Sequence, residues 1–172
     1  MSDNHAIPDL IRERAEDAPL VEALIARAFG PGRYAKAAER LREGNRPILD
    51  LSFVAWIGGT AVGCVRLWPV RIGETAALLL GPFAVDDTHR GQGLGAALIN
   101  RACEAAEEAG RALIVLVGDE AYFAPMGFKV ARHVAMPGPV DPRRVLVRAL
   151  RAGACEDIAG EIRRLDVGTA AA

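Results

Sequence analysis

The sequence lacks the residues typical of secreted, metal-dependent and nucleic-acid-binding proteins. Its three cysteines are an odd number and form no close pair with one another or with the three histidines, so neither a disulfide framework nor a zinc site is indicated. A formal net charge of −1 argues against a nucleic-acid-binding surface, which normally carries a clustered basic excess. No apolar run approaches the roughly 18 residues of a membrane span. Residues 1–10 contain no basic segment followed by an apolar core, which argues against a secretory signal. We therefore expect a cytoplasmic protein with no metal site and with no nucleic-acid or membrane partner.

What the sequence does contain is enough apolar material for one hydrophobic core. Hydrophobic residues make up 51% of the 172-residue chain, which suits one domain and leaves little room for two. We expect a single domain over residues 1–172 that is a monomer or a homodimer. Residues 168–172 are expected to be disordered.

Hydrophobic periodicity predicts strands and helices in alternation. A nearly continuous apolar run at 76–85 indicates a strand buried on both faces, and the run at 112–117 indicates another. Between them, apolar residues at three- and four-residue steps over 94–109 indicate a helix, so the two strands are expected to be parallel neighbours. The other predicted elements are a hairpin of strands 53–57 and 60–67, a first strand at 7–14, helices at 17–30 and 32–43, and strands at 128–130 and 144–150. The hairpin makes the predicted sheet mixed, and the tail after residue 153 is weakly patterned.

A polar, glycine-rich stretch, residues 86–96, lies where the strand at 76–85 becomes the helix. The unpaired N–H groups of a first helical turn attract an anion, and glycines let phosphate oxygens approach the backbone. Arg90 adds a positive charge at the entrance. We therefore interpret this stretch as a phosphate cradle formed by Arg90, Gly91, Gln92, Gly93, Leu94, Gly95 and Ala96.

Two other interpretations of these glycines are open. The pattern Gly91-x-Gly93-x-x-Ala96 also fits a relaxed dinucleotide-binding fingerprint. Against it, five polar or charged residues, 86–90, separate the strand from the first glycine. About 20 residues further on, where an acidic residue should hold the ribose, lies the apolar run 112–117. The other alternative is a turn that needs glycine only for its geometry.

The same residues resemble the acetyl-CoA motif of the GCN5-related N-acetyltransferases. The resemblance begins at Phe83-Ala84-Val85, followed by Arg90-x-x-Gly93-x-Gly95-Ala96. It continues through residues 118–128, which end in the Gly127-Phe128 signature, and covers roughly residues 76–130. It implies a mixed, mostly antiparallel central sheet of about six or seven strands flanked by helices, with a parallel, splayed strand pair. It also implies an N-acetyltransferase that moves an acetyl group directly from acetyl-CoA to a primary amine.

Pro82 interrupts the strand at 76–85, because proline has no N–H to give to a neighbouring strand. If the two parallel strands separate there, the main-chain groups of Phe83 and Val85 are free to bind an amide-bearing ligand as an added strand does. The resemblance implies that this ligand is the pantetheine arm of coenzyme A. Its thioester carbonyl would then lie near Phe83, where a backbone N–H stabilises the developing oxyanion.

The acid and the base are less clearly marked. The family often has a tyrosine acid four residues before the glycine of Gly-Phe, and here that residue is Phe123. Tyr122 lies one residue earlier, about 100° around a helix, and is our candidate acid, with water as the alternative. Asp119 is the candidate base. Further candidates are Glu120, Glu74 and His89, and all four are also common as surface groups or helix caps.

The acceptor is expected to be a small-molecule or peptide amine. Its site should be walled by residues 29–45, the hairpin and the loop at 133–142, with Phe29, Arg33 and Tyr34 as candidate contacts. The functional alternative, motivated by Phe123, is an acyl-CoA-binding sensor or partner-binding module that has lost its chemistry. A dinucleotide-dependent oxidoreductase is the third hypothesis.

Overall fold

The described part of the chain contains nine strands and four α-helices. The computed structural model describes residues 6–165, apart from the side chains of residues 34 and 35. The elements are β1 Asp9–Arg12, α1 Ala18–Phe29, α2 Glu39–Arg42, β2 Phe53–Ile57, β3 Thr60–Ile72, β4 Thr75–Val85, α3 Leu94–Glu108, β5 Leu113–Val117, α4 Glu120–Phe123, β6 Lys129–Val130, β7 Val134–Ala135, β8 Val145–Ala149 and β9 Gly160–Arg164. Within 6–165, no α-helix is both long and apolar enough to cross a membrane.

The main sheet has the strand order β1-β2-β3-β4-β5-β8-β6. Adjacent strands in this order are antiparallel except for β4 and β5, which are parallel and joined by α3. This confirms the predicted mixed, mostly antiparallel sheet and its parallel pair. The predicted hairpin is formed by β2 and β3, whose connecting residues Gly58 and Gly59 both have positive φ, as a tight two-residue turn requires.

The two long helices cover opposite faces of the sheet. Val54 and Cys64 pack against α1, whereas their chain neighbours Phe53 and Val65 pack in the cluster that contains α3. Successive side chains of a strand point to opposite faces, so α1 and α3 must lie on different sides. The sheet is therefore buried on both faces in its centre, which explains why β4 and β5 are apolar almost throughout.

Three parts of the prediction need comment. The predicted helix at 32–43 is wrong: the chain forms a 3₁₀ turn at Pro31–Ala35, is extended at Lys36 with ψ 141°, and is helical again only at Glu39–Arg42. The extended residue breaks the helical hydrogen-bond ladder, although Ala37 and Leu41 are buried as the pattern indicated. The short strands β7 and β9 were missed, and the expected disorder at 168–172 lies outside the described residues. β9 pairs with β3 and β7, and this pairing, more than its own sequence, makes it a strand.

Candidate functional site

The parallel strands open apart in the middle of the sheet. Their pairing extends only as far as Leu79 of β4 and Val115 of β5. Just beyond, Gly81 and Pro82 of β4 lie together opposite the single residue Arg66 of β3, which makes a β-bulge. The predicted separation at Gly81-Pro82 is therefore present, and it leaves a gap between two strands that are neighbours elsewhere.

The main-chain groups of Phe83 and Val85 face this gap. The amide of Asp86 donates to the carbonyl of Val62 at 2.8 Å, which fixes the phase of the β3–β4 ladder. Because hydrogen-bonded and non-hydrogen-bonded pairs alternate in an antiparallel ladder, Phe83 and Val85 direct their N–H and C=O groups away from β3. The Val85 carbonyl accepts from Arg90 Nε at 3.2 Å instead. The strand thus offers hydrogen-bonding groups to a ligand on its open side.

The glycine-rich stretch forms an open cradle at the start of α3. Gly91 and Gly93 have φ of +75° and +80°, and an added Cβ at either one would meet only open space. The first amide of α3 to bond back within the helix is that of Ala97, which donates to the Gly93 carbonyl at 3.0 Å. The amides of residues 94–96 precede it and have no helical acceptor. Glycine backbone, unpaired amides and the helix dipole are together the features that favour binding of a phosphate group.

Arg90 stands at the mouth of the cradle on a 3₁₀ turn. Its guanidinium pairs with Asp87 at 2.9 Å, but both side chains are more than half exposed. An exposed pair of this kind contributes little, so Arg90 can turn toward a phosphate at small cost. Asp86 caps the turn by accepting from the Thr88 amide, and this backbone hydrogen bond lowers the pKa of Asp86.

Tyr122 reaches the gap from α4. Its ring stacks on Phe83 with centroids 6.3 Å apart and planes 8° apart. Its hydroxyl lies against α3, 2.8 Å from the place of a Cβ on Gly95. Gly95 is therefore required for packing against Tyr122, in addition to the predicted access for phosphate. Partial burial raises the pKa of Tyr122, so the phenol keeps its proton at neutral pH.

Phe123, at the family's usual acid position, belongs to the core. It is 4% exposed and packs edge-on against Phe128 at 5.8 Å. A side chain on Gly118 would overlap its ring. The phenylalanine fills space between the sheet and the Gly-Phe segment. It and the neighbouring tyrosine both line the cavity described below, but the tyrosine is 44% exposed.

The candidate base Asp119 is the N-cap of α4. Its Oδ1 accepts from the Ala121 amide at 3.2 Å, and its exposed side chain lines the cavity described below. Glu120, Glu74 and His89 do not line that cavity. Of the four, Asp119 is thus the carboxylate that the structure brings to the gap.

A cavity of about 680 Å³ opens on the α1 side of the gap. One wall is formed by α1, the 3₁₀ turn and α2, and the opposite wall by the end of β5 and α4. Of the predicted contacts, Phe29 and Arg33 line it, whereas the side chain of Tyr34 lies outside the described residues. Pro139, Val140 and Asp141 of the predicted loop 133–142 line it, and so does Arg66 in the strand 60–67 of the predicted hairpin, although the hairpin turn does not. Arg42 lies within the predicted wall 29–45. Lining residues outside every predicted wall include Glu22, Trp68 and Arg144.

Arg66 lines the cavity and lies at the centre of an ionic network with Glu13 and Glu22. It contacts Glu13 through two nitrogens, at 3.0 and 2.7 Å, and Glu22 at 2.6 Å. Arg33 also pairs with Glu22, at 3.1 Å. Burial raises the pKa of Glu22, but the hydrogen bonds from Arg66 and Arg33 outweigh it and lower the pKa overall, so this carboxylate is a weak base. An arginine inside the apolar run 62–67 was a signal that sequence reasoning could have used.

The cysteines are placed away from this chemistry. Burial raises the pKa of Cys64 to about 12 and that of Cys103 to about 11, which makes both thiols poor nucleophiles. Among residues 6–165, no group of three or more metal-ligating side chains lies together.

Known proteins resemble this chain in sequence and fold. A family model described as an acetyltransferase (GNAT) domain matches residues 50–130. The uncharacterized N-acetyltransferase YhbS of Escherichia coli is 37% identical over 120 residues, which cover 68% of this chain and 71% of YhbS. The crystal structure of E. coli YhbS in complex with CoA superposes with a TM-score of 0.81 at 28% identity and covers 96% of this chain and 93% of that one. A Brucella melitensis GNAT acetyltransferase in complex with acetyl-CoA has a TM-score of 0.62 at 29% identity, over 86% of this chain and 98% of that one. The chain therefore belongs to the GNAT family of acetyltransferases.

Proposed function

We propose that this protein transfers an acetyl group from acetyl-CoA directly to a primary amine in the cytoplasm. The observation that carries the proposal is the gap between β4 and β5, which has a phosphate-binding cradle on one side and a cavity of about 680 Å³ on the other. The similar structures of YhbS with CoA and of the Brucella enzyme with acetyl-CoA support the choice of coenzyme.

The residues at the gap fit an acetyl-CoA molecule in an extended form. Backbone amides from Gly91 to Ala96, with Arg90, would hold the pyrophosphate. The open main-chain groups of Phe83 and Val85 would hold the amides of the pantetheine arm. The thioester then lies at the bulge, beside the cavity that the amine enters.

In the transfer, the amine nitrogen forms a bond to the thioester carbonyl carbon, and the carbon–sulfur bond breaks. The Phe83 N–H would stabilise the negative charge that develops on the carbonyl oxygen. The departing thiolate takes a proton, and the acceptor nitrogen loses one. Tyr122 is protonated at neutral pH and faces the gap, so we assign it as the acid; Asp119 or solvent receives the proton of the amine.

Equilibrium titration with acetyl-CoA and NAD tests the coenzyme assignment. We expect acetyl-CoA to bind at micromolar concentrations and NAD not to bind. Gly93→Ala should raise the acetyl-CoA dissociation constant by roughly tenfold, about 1.4 kcal/mol, since its new Cβ enters the cradle. Gly110→Ala is the matched control, because Gly110 also has positive φ and open surroundings but follows α3 at its other end. Equal effects of the two substitutions would show that Gly93 does not contact phosphate.

Thiol release across an amine panel separates the enzyme from the coenzyme-binding sensor, because only turnover liberates CoA in proportion to the acceptor. Tyr122→Phe should lower kcat with little change in acetyl-CoA affinity. The pKa of Tyr122 is raised above its usual 10. Deprotonation of Tyr122 should therefore lower the activity of the wild type only above about pH 10. Unchanged kcat in Tyr122→Phe would assign the proton transfer to water.

A further inference from the structure

The α1–α2 side of the cavity carries an excess of positive charge. The cations on this side are Arg33, Lys36, Arg42 and Arg66. The carboxylates are Glu22 and Glu39, which line the cavity, and the buried Glu13, which pairs with Arg66. Four cations face three carboxylates, so one positive charge has no counterpart within the group. Such an excess in a partly apolar cavity is an arrangement that binds an anion.

Arg42 is the cation with unused binding capacity. Its side chain is 13% exposed, and one terminal nitrogen donates to Glu39 at 3.2 Å. Its Nε is buried and has no hydrogen-bond partner among the described residues. A buried donor without an acceptor is costly, so the guanidinium of Arg42 is poorly satisfied. Nε itself has almost no accessible surface, so a ligand in the cavity would accept a hydrogen bond from the terminal nitrogens instead.

The Arg42 guanidinium lies beside the bulge where the thioester is proposed to sit. Its other terminal nitrogen is 3.1 Å from the place of a Cβ on Gly81. Burial lowers the pKa of Arg42; Glu39 opposes this change, and the nearby charges of Arg33 and Arg66 add to it, so three guanidiniums share this wall. An anion bound among them would relieve that repulsion.

The opposite wall and the loop at its edge carry no excess of positive charge: Asp119 and Asp141 lie there with Arg144 and with Arg143, which pairs with Asp141, and Asp119 exposes its carboxylate to the cavity. A ligand with one negative and one positive end can therefore satisfy both walls. One excess positive charge matches a monoanion, and the planar guanidinium of Arg42 fits the two oxygens of a carboxylate.

We propose that the acceptor is an amine that also carries a carboxylate, such as a free amino acid, with its carboxylate bound by Arg42 and its amine near Gly81 and Asp119. This inference rests on the proposed function and adds the chemical class of the acceptor. The apolar side chains of Ile25, Phe29 and Trp68 leave room in the same cavity for an aliphatic or aromatic side chain.

The test compares amines that differ only in the carboxylate. One set is L-leucine, L-leucinamide and isopentylamine, and another is L-phenylalanine, L-phenylalaninamide and phenethylamine, all assayed by thiol release with saturating acetyl-CoA. The amides have the more readily deprotonated amines, so a preference for the free acids cannot come from amine basicity. We expect kcat/KM to be at least about tenfold higher for the free acid than for the amide in at least one set.

Variants of α2 assign the preference to Arg42. Arg42→Gln should lower kcat/KM for the free acids by about 10- to 100-fold and change that for the amides less than about twofold. Arg42→Lys should restore part of the loss, because it keeps the charge but not the planar fork. Arg40→Gln is the matched control: Arg40 is exposed on the same helix and does not line the cavity. Thermal unfolding of each variant checks that it is folded.

A second measurement does not depend on turnover. In calorimetry with CoA-saturated protein, N-acetyl-L-leucine should bind more tightly than N-acetyl-L-leucinamide, and Arg42→Gln should remove the difference. The inference is overturned if amides or decarboxylated amines are used as well as the acids, if Arg42→Gln affects all amines equally, or if no amine releases thiol. Turnover of the uncharged analogues alone leaves the proposed function standing, whereas failure to bind acetyl-CoA removes both.

Discussion

Replacing Gly95 by alanine tests where the Tyr122 hydroxyl lies, and it does so without any substrate. The new Cβ would be 2.8 Å from that hydroxyl, and the next atoms, on Phe83 and Val85, are at ordinary contact distances of 3.6 and 3.8 Å. The hydroxyl must retreat by roughly 0.6 Å to reach the 3.4 Å at which normal contact begins. Overpacking of this kind costs about 1–3 kcal/mol, and the partial exposure of Tyr122 favours the lower end, about 1 kcal/mol.

The interaction is isolated by a double-mutant cycle of Gly95→Ala and Tyr122→Phe. Without the hydroxyl, alanine no longer clashes, and its better helix propensity gives up to about 0.5 kcal/mol of stability. We therefore expect a coupling free energy of about 1 kcal/mol between the two substitutions, measured by urea unfolding. Gly32→Ala is the control for additivity, because a Cβ there meets nothing within 4 Å and Gly32 has no positive φ. Coupling below about 0.3 kcal/mol would refute the placement of Tyr122 against α3.

Three further predictions concern buried groups. Glu13→Gln should destabilise the protein by about 3 kcal/mol in urea unfolding, because it leaves the buried charge of Arg66 with one carboxylate partner fewer; a loss under about 1 kcal/mol would mean that the pair is not buried in solution. The side-chain hydrogen bond from Arg14 lowers the pKa of Asp17 below 3.8, so its contribution is fully present above that pH and is lost as the pH falls through the folded-state value. The stability difference between Asp17→Asn and the wild type should accordingly shrink below pH 4, and a constant difference from pH 6 to pH 3 would contradict this. Since the pKa of Cys64 is about 12, this thiol should react with Ellman's reagent at pH 8 only after unfolding in urea; in a Cys155→Ser variant, which lacks the partly exposed thiol, fast labelling of the folded protein would contradict the burial of Cys64 and Cys103.

The sequence by itself determined the glycine-rich cradle and the position of the gap. The Gly58-Gly59 turn, the apolar strands and the glycines before α3 are signals carried within a few residues each, because positive φ and continuous burial restrict which amino acids are possible. Pro82 also indicated the position of the gap, because proline has no N–H to donate to a neighbouring strand.

Tertiary structure decided the cavity beside the gap. Arg42, Arg66 and Glu22 come from α2, β3 and α1, and no spacing in the chain indicates that they meet in one cavity. Packing also decided how two adjacent aromatic residues are placed: Phe123 is buried by its fit over Gly118, and Tyr122 is left partly exposed, although both line the cavity. Local conformation follows from local sequence, whereas the charge and shape of a cavity are sums over distant residues that only the folded chain brings together.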